Sequence, residues 1–321
     1  MQRKKNSAFA LLEILKKESD AEHPLSQKRV AELLEMQYGI VLERRAFYNN
    51  FDMLQTFGYD ISTWHDNGHG YYLKSRQFDE AEVLLLCNAL HASHFISKQQ
   101  SDALINKLLA TQSRYQQKEF RDAVYLPNMR KTENTTLFES IRIISKANHN
   151  GHKVSFTYMH YNADKKLVPF PNNPHIADPR FIVYNDERAY MIATTDAHPG
   201  FRHYRIDRMC DVKELEEKSE PLPEELDAYQ YAENKLFMFG GEPIYVTLRI
   251  RADIIGQMID LFGKNINFIP HGDCYDFTVR AARRGILILA QQYIDQMEIL
   301  EPADLRGEIK KTLQEALQRY Q

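Results

Sequence analysis

The sequence predicts a multidomain α+β chain, and three observations carry that expectation. It is 321 residues long, more than one ordinary domain needs. Its hydrophobic period changes along its length: helical up to about residue 75, alternating after about residue 153, and mixed beyond residue 243. Two polar stretches with prolines, Asn128 to Glu133 after Pro127 and Pro221 to Asn234, read as boundaries. The division that results is 1–75, 76–133, 134–220 and 236–321.

In the first segment, Ala8, Leu12 and Leu15 recur at helical spacing, with Phe9 and Leu11 beside them. Ser26 is a good N-cap for a second helix carrying Val30, Leu33 and Leu34, and Leu25 is placed to staple onto Val30. A third helix runs from near Glu43 to Thr56, with Phe47, Phe51 and Leu54 as its buried stripe. Arg44, Arg45, Tyr48 and Asn49 then face outward. Two short strands, Asp60 to Trp64 and Gly70 to Leu73, flank Asn67-Gly68, a strong hairpin signal.

Three helices followed by a small hairpin form a winged helix-turn-helix pattern. Arg, Asn and Tyr on its third helix suit base edges and phosphates of the major groove, and His69 places a contact in the wing. A solvated helix face is the competing explanation. Charge does not separate the two, because residues 1–75 hold ten basic and ten acidic side chains.

Phe78 to Gln117 reads as two helices, a helical connector. His91 and His94 sit three apart without a third ligand nearby, so no metal site is expected. Next, Leu137, Ile141 and Ile144 mark a helix. Val154, Phe156 and Tyr158 then alternate with polar neighbours as a half-buried strand does. Pro169 to Pro179 reads as loop. Strands follow at Phe181–Tyr184, Ala189–Thr194 and Phe201–Ile206. A helix with about five short strands makes a small barrel or sandwich.

Tyr158 and Tyr190 offer stacking surfaces with a polar tip. Arg202, Arg205 and Arg208 offer forks for phosphate. Strand parity puts Arg205 opposite the other two, so Arg205 is the first candidate for a pocket and the others are rim. Aromatics interleaved with arginines suit an anionic, base-bearing ligand. Pairing of these arginines with Asp207 or Asp178 is the structural alternative. The last segment alternates strands (Ile244–Ile250, Cys274–Val279, Met297–Leu300) with helices (Asp253–Phe262, Gly285–Tyr293, Ala303–Tyr320), a compact α/β sandwich. Arg280, Arg283 and Arg284 form a basic cluster there.

Several segments resemble bacterial transcriptional regulators that carry a WYL domain. Arg44-Arg45-Ala46-Phe47-Tyr48-Asn49-Asn50-Phe51-Asp52-Met53-Leu54 is similar to their recognition helix, and Gly70-Tyr71-Tyr72-Leu73 to the end of their wing. Asp178 to Tyr184 with Ala189 to Ile192, and Phe201 to Met209, resemble the core of the WYL domain itself. Ala189-Tyr190-Met191 stands where the family has Trp-Tyr-Leu. Met297 to Arg306 resembles the C-terminal extension of these regulators. The resemblance implies a winged helix-turn-helix reader, a connector that makes a homodimer, a small Sm/SH3-like β-barrel that binds an effector, and an extension domain. The implied partners are a double-stranded DNA operator and a nucleotide or short single-stranded nucleic acid.

Other classes find little support. The three cysteines lie far apart, which suits a reducing, cytoplasmic setting without disulfides. No apolar run approaches the roughly 18 residues of a membrane span. No P-loop, GxGxxG, GxSxG or HExxH spacing occurs, so neither an enzyme nor a cofactor is expected. A nucleic-acid-sensing accessory protein that acts on a partner without controlling a promoter is the alternative to a regulator.

Overall fold

A computed structural model describes residues 6–123, 131–185, 187–221 and 243–321. It is a mixed α+β chain that divides into two compact units, Met1–Thr135 and Thr136–Gln321. The expected linker, Pro221 to Asn234, lies outside the described residues apart from Pro221, and so does the expected domain start at Leu236. Of the expected boundary Asn128 to Glu133, the first three residues also lie outside.

The first unit opens with α1 (Ser7–Glu18), α2 (Gln27–Tyr38) and α3 (Arg44–Thr56). Their apolar stripes meet in one core, with Leu11, Ile14 and Leu15 of α1 against Leu34 of α2 and Phe47 and Phe51 of α3. The helix ends follow local chemistry. Ser26 accepts from the Arg29 N–H at the start of α2, and Gly39 closes α2 in the left-handed conformation.

Strands β1 (Ile61–Ser62) and β2 (Tyr72–Leu73) pair antiparallel, with Ile61 opposite Leu73. Between them the expected two-residue Asn-Gly turn is absent. Trp64–Asn67 form a one-turn helix, α4, and Gly68 is its left-handed C-cap. The reason is Asp66: the Thr63 N–H and Oγ1 both donate to Asp66 Oδ2, at 2.7 and 2.9 Å, which starts a helical turn before a hairpin can close. Gly70 then passes so close to Leu25 that a Cβ would come within 2.4 Å of the Leu25 carbonyl oxygen.

Three helices complete this unit where two were expected: α5 (Glu80–Ala92), α6 (Lys98–Leu109) and α7 (Arg114–Ala123). Val83, Cys87, Ile105, Leu109 and Phe120 form their core. The third was obscured because RYQQKEFRDA is mostly polar, and among its described side chains only Phe120 is buried. His91 falls in the last turn of α5, and His94 lies beyond its end.

The second unit begins with α8 (Leu137–Asn150), packed on an antiparallel sheet. Its strands are β3 (His152–Tyr161), β4 (Leu167–Pro169), β5 (His175–Asn185), β6 (Arg188–Thr195), β7 (His198–Arg205) and β8 (Met209–Lys218). The order is β4-β3-β5-β6-β7, and β8 pairs with β3. Strand β3 takes β5 on one side and β8 on the other, and the sheet is curled.

The sheet departs from expectation in three places. Strand β5 begins at His175, inside the expected loop, and a bulge between Pro179 and Phe181 accommodates the proline. Strand β8 adds a sixth strand that its charged sequence, MCDVKELEEK, conceals. Strand β7 stops at Arg205, and Ile206–Arg208 form a 3-10 turn. Strand parity therefore does not extend to Arg208.

The C-terminal body has β9 (Pro243–Arg251), a 3-10 turn at Ala252–Ile254, α9 (Ile255–Phe262), β10 (Ile269–His271), β11 (Cys274–Ala282), α10 (Arg283–Gln292), β12 (Met297–Glu301) and α11 (Ala303–Arg319). Its sheet order is β10-β11-β9-β12. Val246, Leu248 and Ile250 face the core with Met258, Ile286, Leu289 and Leu305 from the helices. The other face carries ion pairs such as Arg249 with Asp276 at 2.7 Å. The expected basic cluster is partly neutralised, since Arg283 bonds Asp304 at 2.5 Å and Glu308 at 2.7 Å.

Candidate nucleic-acid interface and effector site

In the first unit, Phe47, Phe51 and Leu54 are buried while Arg44, Arg45, Tyr48 and Asn49 lie exposed. Neither arginine is held in an ion pair among the described residues. His69 is also exposed, after Gly68 at the end of α4. Tyr71, which precedes β2, packs on Phe51 with ring centroids 4.6 Å apart. Burial and the adjoining Tyr48 hydroxyl push the Tyr71 phenol up to about 12. That contact ties the outward face of α3 to the β1–β2 connection.

In the second unit, Phe156, Tyr158 and His160 alternate along β3, two residues apart, and so share one face. Phe170, His175 and Tyr204 join them. Tyr158 stacks on Phe170 with centroids 5.7 Å apart and planes 10° apart. Phe156 stacks on His175 at 5.6 Å and meets Tyr204 edge-on at 5.0 Å. His160 lies 4.3 Å from Phe170. Asn173 locks the approach to this cluster, accepting from the Tyr158 N–H at 2.7 Å and donating to the Tyr158 and Phe170 carbonyls.

The predicted arginines divide into three situations. Arg205 donates to both oxygens of Asp207, at 3.1 and 2.6 Å, the pairing that the sequence left open as the structural alternative. Burial disfavours its charge, but Asp207 outweighs burial and raises its pKa. The Arg205 N–H also donates to the Tyr158 hydroxyl at 3.1 Å. Arg202 is exposed, and its charge reaches both His175 and Tyr204. Arg208 sits in the 3-10 turn, and its charge acts on Tyr158.

Register places Tyr190 opposite Arg205 and Met191 opposite Tyr204. Tyr190 and Arg205 therefore share one face of β6–β7, and Tyr204 and Arg202 share the other. The chain brings Tyr158, Arg202 and Arg208 to the aromatic cluster, and it puts Tyr190 with Val183 and Ile192. Ala189 is fully buried.

Three nitrogens near the cluster are buried without a hydrogen-bond partner among the described residues: His160 Nδ1, His175 Nε2 and Arg208 Nε. Each such group costs about 1–3 kcal/mol. Burial, then the nearby Arg202 charge, lowers the His175 pKa, so its ring is neutral at pH 7. Burial raises the Tyr158 hydroxyl, which stays protonated. The result is a packed aromatic cluster in which Phe156, His175 and Tyr204 stand edge-on to Tyr158 or to each other, with unpaired nitrogens and two guanidinium groups beside it. Sequence reasoning missed His160, Phe170, His175 and Tyr204. The signal for His160 was present in the Phe156-Tyr158-His160 alternation; Phe170 and His175 were hidden by the prolines around them.

Among the described residues no three His, Cys, Asp or Glu side chains gather as metal ligands. None of the described helices is long and apolar enough to cross a membrane.

Residues 139–214 match the family model of the WYL domain, and they coincide with α8, the curled sheet and the aromatic cluster. The chain therefore carries a WYL domain, as its sequence segments implied. Among solved structures it is similar to the proteasome accessory factor B/C (PafBC) of Arthrobacter aurescens, with 18% identity and a TM-score of 0.29. That match covers 98% of this chain and 49% of the other, so this chain spans about half of its length. It is also similar to a CRISPR Cas-related protein, with 13% identity, a TM-score of 0.38, and 99% and 85% of the two chains covered. No curated protein matches it.

Proposed function

We propose that the protein is a DNA-binding transcriptional regulator, with no catalytic role, that works as a homodimer in the cytoplasm and is switched by a ligand of its WYL domain. The observation that carries this reading is the outward face of α3, where Arg44, Arg45, Tyr48 and Asn49 stand exposed over a helix anchored by Phe47, Phe51 and Leu54. In this reading the first three helices and the β1–β2 pair are a winged helix-turn-helix, α3 enters the major groove, and His69 touches the backbone beside it. The second half of the proposal rests on the WYL aromatic cluster. Tyr158 and Phe170 take the base of a nucleotide or short single strand, and Arg208 and Arg202 take its phosphate. Arg205 and Tyr190 then support the site from behind the sheet. Ligand shifts the balance between two arrangements of the dimer; a differential affinity of about 1–3 kcal/mol is enough.

The test is fluorescence polarisation with the duplex upstream of the protein's own gene, a random duplex and a short single strand, at two salt concentrations. The regulator reading expects preference for the upstream duplex, altered when the single strand is added. Arg44→Ala with Arg45→Ala should abolish duplex binding and leave the thermal midpoint unchanged. Arg208→Ala should weaken the single strand and spare the duplex. Binding to the single strand alone would replace this reading by that of an accessory sensor acting on a partner.

A further inference from the structure

The charges of α3 are placed badly for a helix that serves only the fold. Arg44 and Arg45 occupy its first turn, where the positive end of the helix dipole disfavours them and no acidic residue offsets them. Asp52, the only acidic residue of the helix, lies toward the other end, where the dipole offers a carboxylate nothing. No neighbour along the helix holds it either. The residues three and four positions away are Tyr48, Asn49, Gln55 and Thr56, none of them basic. Among the described residues no ion pair or hydrogen bond engages the Asp52 carboxylate, and the Thr56 hydroxyl donates to its backbone carbonyl instead, at 2.8 Å.

Its position on the helix is equally particular. At 3.6 residues per turn, the exposed face of α3 has a middle and two flanks. Arg44 and Tyr48 run down one flank, Arg45 and Asn49 down the other, and Asp52 projects between the two rows. A helix laid in the major groove turns its flanks toward the two phosphate backbones and its middle toward the base edges. The outward face of α3 is positive on both flanks and negative between them. A carboxylate only accepts hydrogen bonds. Among the bases, cytosine alone shows the major groove a donor with no acceptor beside it, its N4 amino group; adenine adds the N7 acceptor, and guanine and thymine show acceptors.

We propose that Asp52 sets the base specificity of α3 by accepting a hydrogen bond from the N4 amino group of a cytosine in the operator. The inference rests on the DNA-reading role of α3 and adds to it a division of labour: Arg44 and Arg45 hold the duplex, and Asp52 chooses the base. The same charge repels a duplex that presents acceptors at that position, so Asp52 selects by exclusion as well as by contact.

The experiment offers the full-length protein a library of randomised duplexes about 30 base pairs long, room for two half-sites. Bound duplexes are sequenced for the wild type, Asp52→Ala and Asp52→Asn. Polarisation of a labelled selected duplex and of a labelled random one gives the two affinities. The wild type is expected to enrich cytosine at one position of each half-site. Asp52→Ala should lose that preference alone, and its ratio of selected to random affinity should fall about tenfold, the effect of one mismatched pair. The random duplex should bind it at least as tightly as before, because a negative charge has been removed. Asp52→Asn should move the enrichment from cytosine to adenine, which matches an amide in both donor and acceptor. Circular dichroism and the thermal midpoint check that both variants fold.

If both affinities rise together in Asp52→Ala and the enriched motif is unchanged, Asp52 is a solvated charge: the proposal falls and the α3 reading stands. A wild type that binds duplex but enriches no sequence also overturns the Asp52 assignment. A wild type that binds no duplex overturns both.

Discussion

Two buried polar regions of this chain are built on opposite plans. In the first unit, Asp20 is only 4% exposed, and its carboxylate is fully engaged. Its carboxylate accepts from the Ser113 hydroxyl, from the Glu22 and His23 N–H groups, and sits 2.8 Å from His23 Nδ1. His23 in turn stacks on Tyr115, 3.8 Å apart and 5° from parallel. Beside them, Arg76 donates to the carbonyls of Lys16, Ser19 and Thr111 at 2.9, 2.6 and 3.1 Å. In the second unit, the aromatic cluster of the WYL domain leaves His160, His175 and Arg208 nitrogens unsatisfied. A fully paired network fixes one arrangement, whereas an unpaired buried nitrogen carries a desolvation cost without a hydrogen bond to offset it. The first region is therefore a joint that fastens α1 and its helical neighbours to the connector helices. The second leaves polar nitrogens unpaired among the described residues.

The largest expected effect tests the joint. Arg76→Ala strands three carbonyls that a guanidinium now serves, and should cost about 3 kcal/mol or more in urea unfolding of the intact protein. A loss below about 1 kcal/mol would mean that water serves those carbonyls equally well. A smaller effect comes from Asp20. Burial raises its pKa, but the hydrogen bonds from Ser113 and His23 win and hold it below the ordinary carboxylate value. Its contribution to stability is thus complete above the unfolded pKa and disappears as pH falls through the folded one. Asp20→Asn should cost about 1–2 kcal/mol at pH 7, and the gap between variant and wild type should close as the solution is acidified through that range. A gap independent of pH would show that geometry, not charge, carries the joint.

The smallest stability effect belongs to the aromatic cluster, and it is the sharpest contrast. His175→Phe keeps a ring against Phe156 while removing an unpaired buried nitrogen. It should leave the thermal midpoint unchanged or raise it, within about 1 kcal/mol, and yet weaken binding of a single-stranded probe. A large loss of stability would mean that the cluster is a structural core and the comparison fails.

The sequence showed much of this frame, for identifiable reasons. The three-helix core was legible because Phe47, Phe51 and Leu54 repeat at helical spacing. Strand β3 was legible because Val154, Phe156 and Tyr158 alternate. Strand β8 and α7 were not, because their polar faces dilute the pattern and only tertiary packing decides them. The aromatic cluster was half legible. Tyr158 and the three arginines could be named from types and spacing, but which arginine is spent on a carboxylate depends on where β7 ends. That end is set by the 3-10 turn at Ile206, which places Asp207 under Arg205. The partners Phe170 and His175 come from a segment whose prolines read as loop.

The Asn67-Gly68 step has a chemical consequence over time. An asparagine followed by glycine is the pair most prone to lose ammonia, because the unhindered glycine nitrogen attacks the side-chain amide to close a succinimide ring. Here the amide is engaged in four hydrogen bonds, and the Gly68 N–H is held by the Trp64 carbonyl at 2.8 Å. The folded turn thereby keeps nucleophile and electrophile from meeting. Ageing at this position is controlled by how often α4 frays. Once the ring opens to aspartate or isoaspartate, the two Nδ2 bonds to Ser62 and Gly70 are gone for good, so the clock starts only in molecules that have already let go of the turn.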